Sequence, residues 1–267
     1  AVVVQRREDS EVQSANLKDI GLTNLRNSLF ERLMNQCKSY HWYWAFDILR
    51  EQGRMHQDIM EFPSKHFYQG ELKVLEHPEI KAELQQPLAY DLDDDWNQLT
   101  LQIAHTRMLY LPTPTDNQGK SKINLFEAQK VVDCIQSILQ LLAFNQIPVK
   151  YETIGVITPY RAQIAQIRKV MQDRGMEPDK ISIDTVERYQ GGARDIVIFS
   201  LCTNRFSQLQ NMISLSDDGV DRKLNVALTR ARKHLIILGN EEILSNYDIY
   251  KDLIAYCRKV EGSNTTK

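Results

Sequence analysis

Short apolar runs alternate with stretches of helical spacing over much of this chain. Residues 154–158, 181–184 and 196–202 are apolar enough to predict strands, and 161–172 between the first two predicts a helix. Residues 221–232 also predict a helix. On it Leu224, Ala227, Leu228 and Ala231 form one apolar stripe, and Arg222, Asn225, Thr229 and Lys233 fall opposite, with Arg230 at the flank of the polar face. The run 235–238 follows at once as a buried, central strand ending at Gly239. Upstream, 107–111 predicts a strand. Residues 124–144 predict a long helix with Phe126, Val131, Ile135, Ile138 and Leu142 at helical spacing. Apolar strands with intervening helices predict a parallel α/β sheet.

The first hundred residues are patterned differently. Residues 21–36 predict a helix with Leu25, Leu29, Phe30 and Leu33 on one side. Residues 39–47 hold Tyr40, His41, Trp42, Tyr43, Trp44 and Phe46; with no basic residues interleaved, they suit packing better than base stacking. The acidic run 91–95 reads as a solvated loop, and 112–122 as a Pro/Thr/Gly loop. Residues 1–5 look cut from a strand or loop, 247–260 predict a closing helix, and 261–267 a frayed tail.

Composition narrows the class. The 267 residues are 42% hydrophobic and 25% charged, as in a soluble globular protein. A net charge of −2 means that any nucleic-acid surface must be a local groove. Cys37, Cys134, Cys202 and Cys257 are far apart and read as reduced thiols of a cytoplasmic protein. No apolar run is long enough to span a bilayer, so no membrane partner is expected. His56 has no Cys or His at metal spacing, which argues against zinc.

Several stretches carry more specific wording. Asn225–Ala231 reads N-V-A-L-T-R-A, and 49–72 reads LREQGRMHQDIMEFPSKHFYQGEL. The first resembles motif VI of superfamily-1 helicases of the up-frameshift (Upf) type. The second resembles that family's L-x-x-Q-Y-R-M-H-P-x-I-x-x-F-P-S-x-x-F-Y-x-G-x-L. The match includes Gln52, Arg54, Met55, His56, Ile59, Phe62, Pro63, Ser64, Phe67, Tyr68, Gly70 and Leu72. Residues 158–163, TPYRAQ, resemble motif IV, and 185–195, TVERYQGGARD, resemble motif V; N-x-x-E-A at Asn124 also fits. These matches run from about residue 49 to 240.

The resemblance implies a parallel-sheet RecA-like domain of the P-loop NTPase type that lacks its own phosphate loop. It implies a second RecA-like domain over 1–260, with 1–105 as entry region, 106–240 as α/β core and 241–260 as closing helix. The phosphate loop, the Mg²⁺ carboxylates and motif III would lie upstream, and AVVVQ at the start looks like the continuation of motif III. ATP and Mg²⁺ would be bound mainly by that upstream domain. Arg230 and Arg54 would contact the γ-phosphate as catalytic residues, since guanidinium forks onto phosphate and stabilises charge during transfer. Gln52, Gly191 and Gly192 would face the nucleotide. Thr158, Tyr160, Thr185 and Asn225 would hold single-stranded DNA or RNA. The segments at 158, 185 and 221 are all expected beyond the carboxyl ends of strands. There are departures from the family. Gly53 stands where its adenine-packing tyrosine is, Gln57 replaces its proline, and Ala193 replaces its glutamate. They motivate a competing reading, a degenerate binding module without ATPase activity.

Overall fold

A strand that is apolar at every position needs cover on both faces. The computed structural model, which describes residues 11–22, 24, 28–117, 122–189, 192–213 and 220–264, shows where that cover comes from. The chain forms two compact units, Ala1–Leu49 and Arg50–Lys267. The described residues of the first hold α1 (Ala15–Asp19), α2 (Leu29–Ser39) and a 3-10 turn at Tyr43–Ala45. Ser28 caps α2 by accepting the Glu31 N–H, so the described helix begins later than residue 21 and runs past residue 36. Leu25 and residues 1–5 lie outside the described residues. The aromatic run forms no core: Tyr40, Trp42, Tyr43 and Trp44 are exposed, with Tyr40 stacked on Trp42.

The second unit opens with β1 (Glu51–Gln52), α3 (Gln57–Phe67), β2 (Lys73–Val74), α4 (Pro78–Leu84) and α5 (Gln98–His105). Then come β3 (Met108–Pro112), α6 (Leu125–Phe144), β4 (Ile154–Ile157), α7 (Arg161–Asp173), β5 (Ser182–Asp184) and β6 (Arg194–Ser200). It closes with α8 (Phe206–Met212), α9 (Arg222–Leu228), β7 (Ala231–Gly239), α10 (Glu241–Leu244) and α11 (Asp248–Asn264). Strands β3, β7, β6, β4 and β5, in that order, make one parallel sheet.

Side chains alternate between its two faces, as a pleated strand requires. Met108, Tyr110, Val197, Phe199, Leu235 and Ile237 pack with α3, α9 and α11. Leu109, Leu111, Ile196, Ile198, Ile236 and Leu238 pack with α5, α6 and α7. Residues Leu235–Leu238 are at most 1% exposed, and each such burial contributes about 1.5–3 kcal/mol. The result is the expected α/β architecture of RecA-like type, with 235–238 on an interior strand.

One boundary differs in a way that matters. The helix expected over 221–232 stops at Leu228, and β7 already begins at Ala231. The Asp221 carboxylate caps the start by accepting from Lys223 and Leu224 N–H. At the other end the Thr229 hydroxyl donates to the Asn225 carbonyl, and Ala231 pairs with Arg194. Arg230 therefore sits in the turn between helix and strand, and Lys233 lies on β7. At the end of the chain α11 continues to Asn264, so 261–264 are helical rather than a frayed tail.

Candidate functional site

Two groups of polar residues stand at opposite ends of the sheet. The first is at the amino ends of β7 and β6. Gln52 shapes its approach: the amide oxygen accepts from Arg54 and Met55 N–H, and the amide nitrogen donates to the Met55 carbonyl and reaches the Met60 sulfur. All four of its hydrogen-bonding positions are thereby engaged within its own loop and by Met60 of α3. Gln52 thus folds the turn that presents Arg54.

Arg54 is exposed, and its Nη1 donates to the Thr229 carbonyl at 3.3 Å. Next to Thr229, the half-buried Arg230 donates from Nε to the Val226 carbonyl (3.2 Å) and from Nη1 to the Gly192 carbonyl (3.1 Å). Its Nη2 is 3.4 Å from the Thr229 hydroxyl. Burial, and then the Arg54 charge, pull the Arg230 guanidinium below its ordinary pKa. Among the described residues neither arginine forms an ion pair; their partners are carbonyls and a hydroxyl. Two cations close enough to disfavour one another, with no carboxylate between them among the described residues, are chemically suited to an anionic ligand.

The placement of Arg230 and Gly192 corrects the expectation that these segments lie beyond carboxyl strand ends. Gly192 precedes β6, and its N–H already donates to the Tyr189 carbonyl, so it turns a carbonyl toward Arg230. Gly191 lies outside the described residues. Asn225 joins this end too: on α9 its amide nitrogen is 3.4 Å from the Tyr68 hydroxyl, and its buried amide oxygen has no partner among the described residues.

The second group is at the carboxyl ends of β4, β5 and β6. Thr158 is fully buried just after β4, and its hydroxyl lacks a hydrogen-bond partner among the described residues. Tyr160, partly exposed, precedes the first residue of α7, and burial raises its phenol pKa. The Lys122 ammonium stands 6.0 Å from the centre of its ring. Thr185, also partly exposed, follows β5.

Behind them runs a buried network of which only the N-x-x-E signal at Asn124 is visible in the sequence. The Asn124 side chain caps α6 by accepting the Glu127 N–H and donates to the Asn204 amide oxygen. Gln163 holds both backbone groups of Asn124. Glu127, 0% exposed, accepts from the Ser200 hydroxyl (2.7 Å) and the Cys202 N–H (2.6 Å). Burial outweighs these bonds and pushes its carboxyl up to about 7.

Thr185–Tyr189 and Gly192–Asp195 lie toward the two ends. They flank β4, where Gly155 leaves room for them: a Cβ there would lie 2.6 Å from both the Tyr189 hydroxyl and Arg194 Cγ. Tyr189 also donates to the Ser182 carbonyl, and Arg194 lies over the Tyr189 and Tyr151 rings.

With this geometry in view, comparison with known proteins gives a family. A sequence model described as AAA domain matches residues 25–242. The chain belongs to that family. It is 29% identical over 249 residues to an uncharacterized ATP-dependent helicase of Methanocaldococcus jannaschii, covering 91% of this chain and 33% of that protein. It is 30% identical over 254 residues to ATP-dependent helicase upf1 of Schizosaccharomyces pombe, covering 92% and 25%. Helicase sen1 of the same organism is 33% identical over 254 residues, covering 90% and 13%. The AAA-domain chain is thus of the Upf-like superfamily-1 type, in its carboxy-terminal part, and spans a third or less of these relatives' length. Among the described residues no helix is long and apolar enough to cross a membrane, and no group of three or more His, Cys, Asp or Glu could hold a metal ion.

Proposed function

We propose that this chain is the carboxy-terminal motor half of an ATP-dependent nucleic-acid helicase, with 106–240 as its α/β core. Arg54 and Arg230 reach the γ-phosphate of ATP held by an upstream RecA-like domain of the same polypeptide. The observation that carries this is the neighbouring pair of guanidiniums without an ion pair among the described residues. A phosphate would relieve their mutual repulsion and accept their forks, and charge developing during transfer would strengthen the contact. Gln52 contributes by shaping the Arg54 turn, and Gly192 by holding Arg230 through its carbonyl. Mg²⁺ is assigned to the upstream domain, as the family resemblance implies.

Tyr160 and Thr185, both partly exposed at the carboxyl end of the sheet, face single-stranded DNA or RNA, with Thr158 behind them. Hydroxyls there suit the phosphate backbone, so affinity should fall as salt rises. Asn225 beside Tyr68 belongs with the arginine end of the site. The 185–195 segment, which touches both ends, couples strand binding to the nucleotide.

The test is ATP turnover of the whole helicase polypeptide carrying Arg230→Ala or Arg230→Lys, beside a strand-binding titration. Lysine should not restore turnover, because an ammonium cannot reproduce the fork. Full turnover by Arg230→Lys would overturn the assignment. A binding module without ATPase activity would instead leave turnover near zero in the unaltered protein.

A further inference from the structure

We propose that His56 and Arg107 are positioning residues that hold the Arg54 loop in register with Thr229–Lys233, so that both guanidiniums face one ligand. The proposal rests on the phosphate reading of Arg54 given above. The four segments involved are far apart in sequence, and the contacts between them form a closed ring.

The His56 backbone N–H donates to the Arg232 carbonyl at 2.8 Å. This ties the Arg54 loop to β7 two residues after Arg230. His56 can hold that place only if its own ring is fixed. Nδ1 accepts the Asp58 N–H, which caps α3, so the proton is on Nε2, which donates to the Gln86 carbonyl at 3.0 Å. The Asp58 carboxylate oxygen 3.3 Å from Nδ1 faces a lone pair that is already engaged; it belongs with Arg107 Nε, 3.5 Å away.

Arg107 closes the ring. Its Nη2 donates to the same Gln86 carbonyl at 2.7 Å, and its Nη1 to the Lys233 carbonyl at 2.8 Å, one residue beyond the Arg232 carbonyl that His56 takes. The Gln86 oxygen thus uses both lone pairs, one for each partner. His56 is 4% exposed and Arg107 5%. A buried guanidinium with a single loose carboxylate costs more than an apolar side chain of its size, so its value lies in the geometry it fixes. Burial, and then the Arg107 charge, keep His56 neutral, which its tautomer requires.

A phosphate contact misplaced by an ångström loses a large share of its effect on the transition state. The experiment is steady-state ATP turnover of the whole helicase polypeptide with Arg107→Lys and with His56→Asn. Lysine keeps the charge but cannot span both carbonyls. Asparagine keeps a good helix cap but cannot reach Gln86. Each should lower kcat about 10- to 100-fold with KM for ATP within about twofold. In an Arg54→Ala background each should add less than about twofold, because the group they position is gone. An unchanged kcat in either folded variant, or an equal loss in both backgrounds, overturns the proposal.

If Arg54→Ala alone leaves turnover unchanged, the phosphate reading falls, and the ring is judged separately. Arg107→Lys must then speed exchange of the His56 amide hydrogen at least about tenfold relative to the unaltered protein. Unchanged protection overturns it. Should both variants fail to fold, ring-nitrogen resonances of the unaltered protein decide: a doubly protonated His56 at pH 7 contradicts the ring of bonds.

Discussion

The two ends of this sheet solve opposite problems. At the carboxyl end, amides, hydroxyls and one carboxyl group satisfy each other away from water: Asn124, Gln163 and Asn204 interlock, and Glu127 takes Ser200 and Cys202. At the amino end, Arg54 and Arg230 lean on carbonyls and remain without a counter-charge among the described residues. A satisfied buried network rigidifies its surroundings. Two adjacent cations do the reverse, because their free energy falls when an anion arrives. The difference supports the proposal that one end serves as frame and strand contact and the other as phosphate contact.

Perturbations chosen for each end should behave differently. The largest effect belongs to the amino end: Arg54→Ala combined with Arg230→Ala should lower ATP turnover of the helicase polypeptide by about 10³- to 10⁵-fold. A stopped-flow phosphate assay reads this, and melting temperature should change far less than turnover, because Arg54 is exposed and the half-buried Arg230 leans only on carbonyls and a hydroxyl.

At the carboxyl end Glu127→Gln should change the pH dependence of stability instead of turnover. The Glu127 carboxyl is raised to about 7 in the fold, from an ordinary 4.5. Stability from the neutral form is therefore complete below about pH 4.5 and is lost as pH rises through about 7. The loss is up to about 3 kcal/mol by pH 8. Glutamine carries no such charge, so denaturant midpoints at pH 5 and pH 8 should converge in the variant. An unaltered difference between them would mean that Glu127 is ionised in the fold throughout.

Between the ends, Gly155→Ala should cost about 1–3 kcal/mol by overpacking, since the new methyl meets Tyr189 and Arg194 at 2.6 Å. It should also uncouple the ends, so that single strands stimulate ATP turnover less in the variant. A variant with unchanged stability and stimulation would show that 185–195 does not link them. The smallest effect is that of Thr185→Ala, which should weaken strand affinity by about 1 kcal/mol, several-fold in a titration, with basal turnover within about twofold.

Much of the fold is legible in the chain because β3, β4, β6 and β7 bury both faces and leave uninterrupted apolar runs. The residues that approach one another in the site are legible only as matched words. Their placement is hidden for a local reason: β7 starts at Ala231, but Arg232 and Lys233 are exposed there, so helical spacing reads on through residue 232. The strand is extended at that end by pairing with Arg194, a contact no local pattern encodes. Gln52 is a second case. Its identity fits a ligand contact, yet its amide is consumed by its own turn. Arg107 is a third, since a polar residue before an apolar run looks like a strand boundary until Gln86 and Lys233 are brought to it.

The most direct measurement is steady-state ATP turnover of the helicase polypeptide with Arg230→Ala, read beside its affinity for single strands. A guanidinium that acts on the transferring phosphate predicts a fall of at least about 10³-fold, about 4 kcal/mol in the barrier, with strand affinity within about twofold. Turnover within about twofold of the unaltered protein, or a loss carried by strand affinity instead, would contradict the assignment of the amino end of the sheet to phosphate.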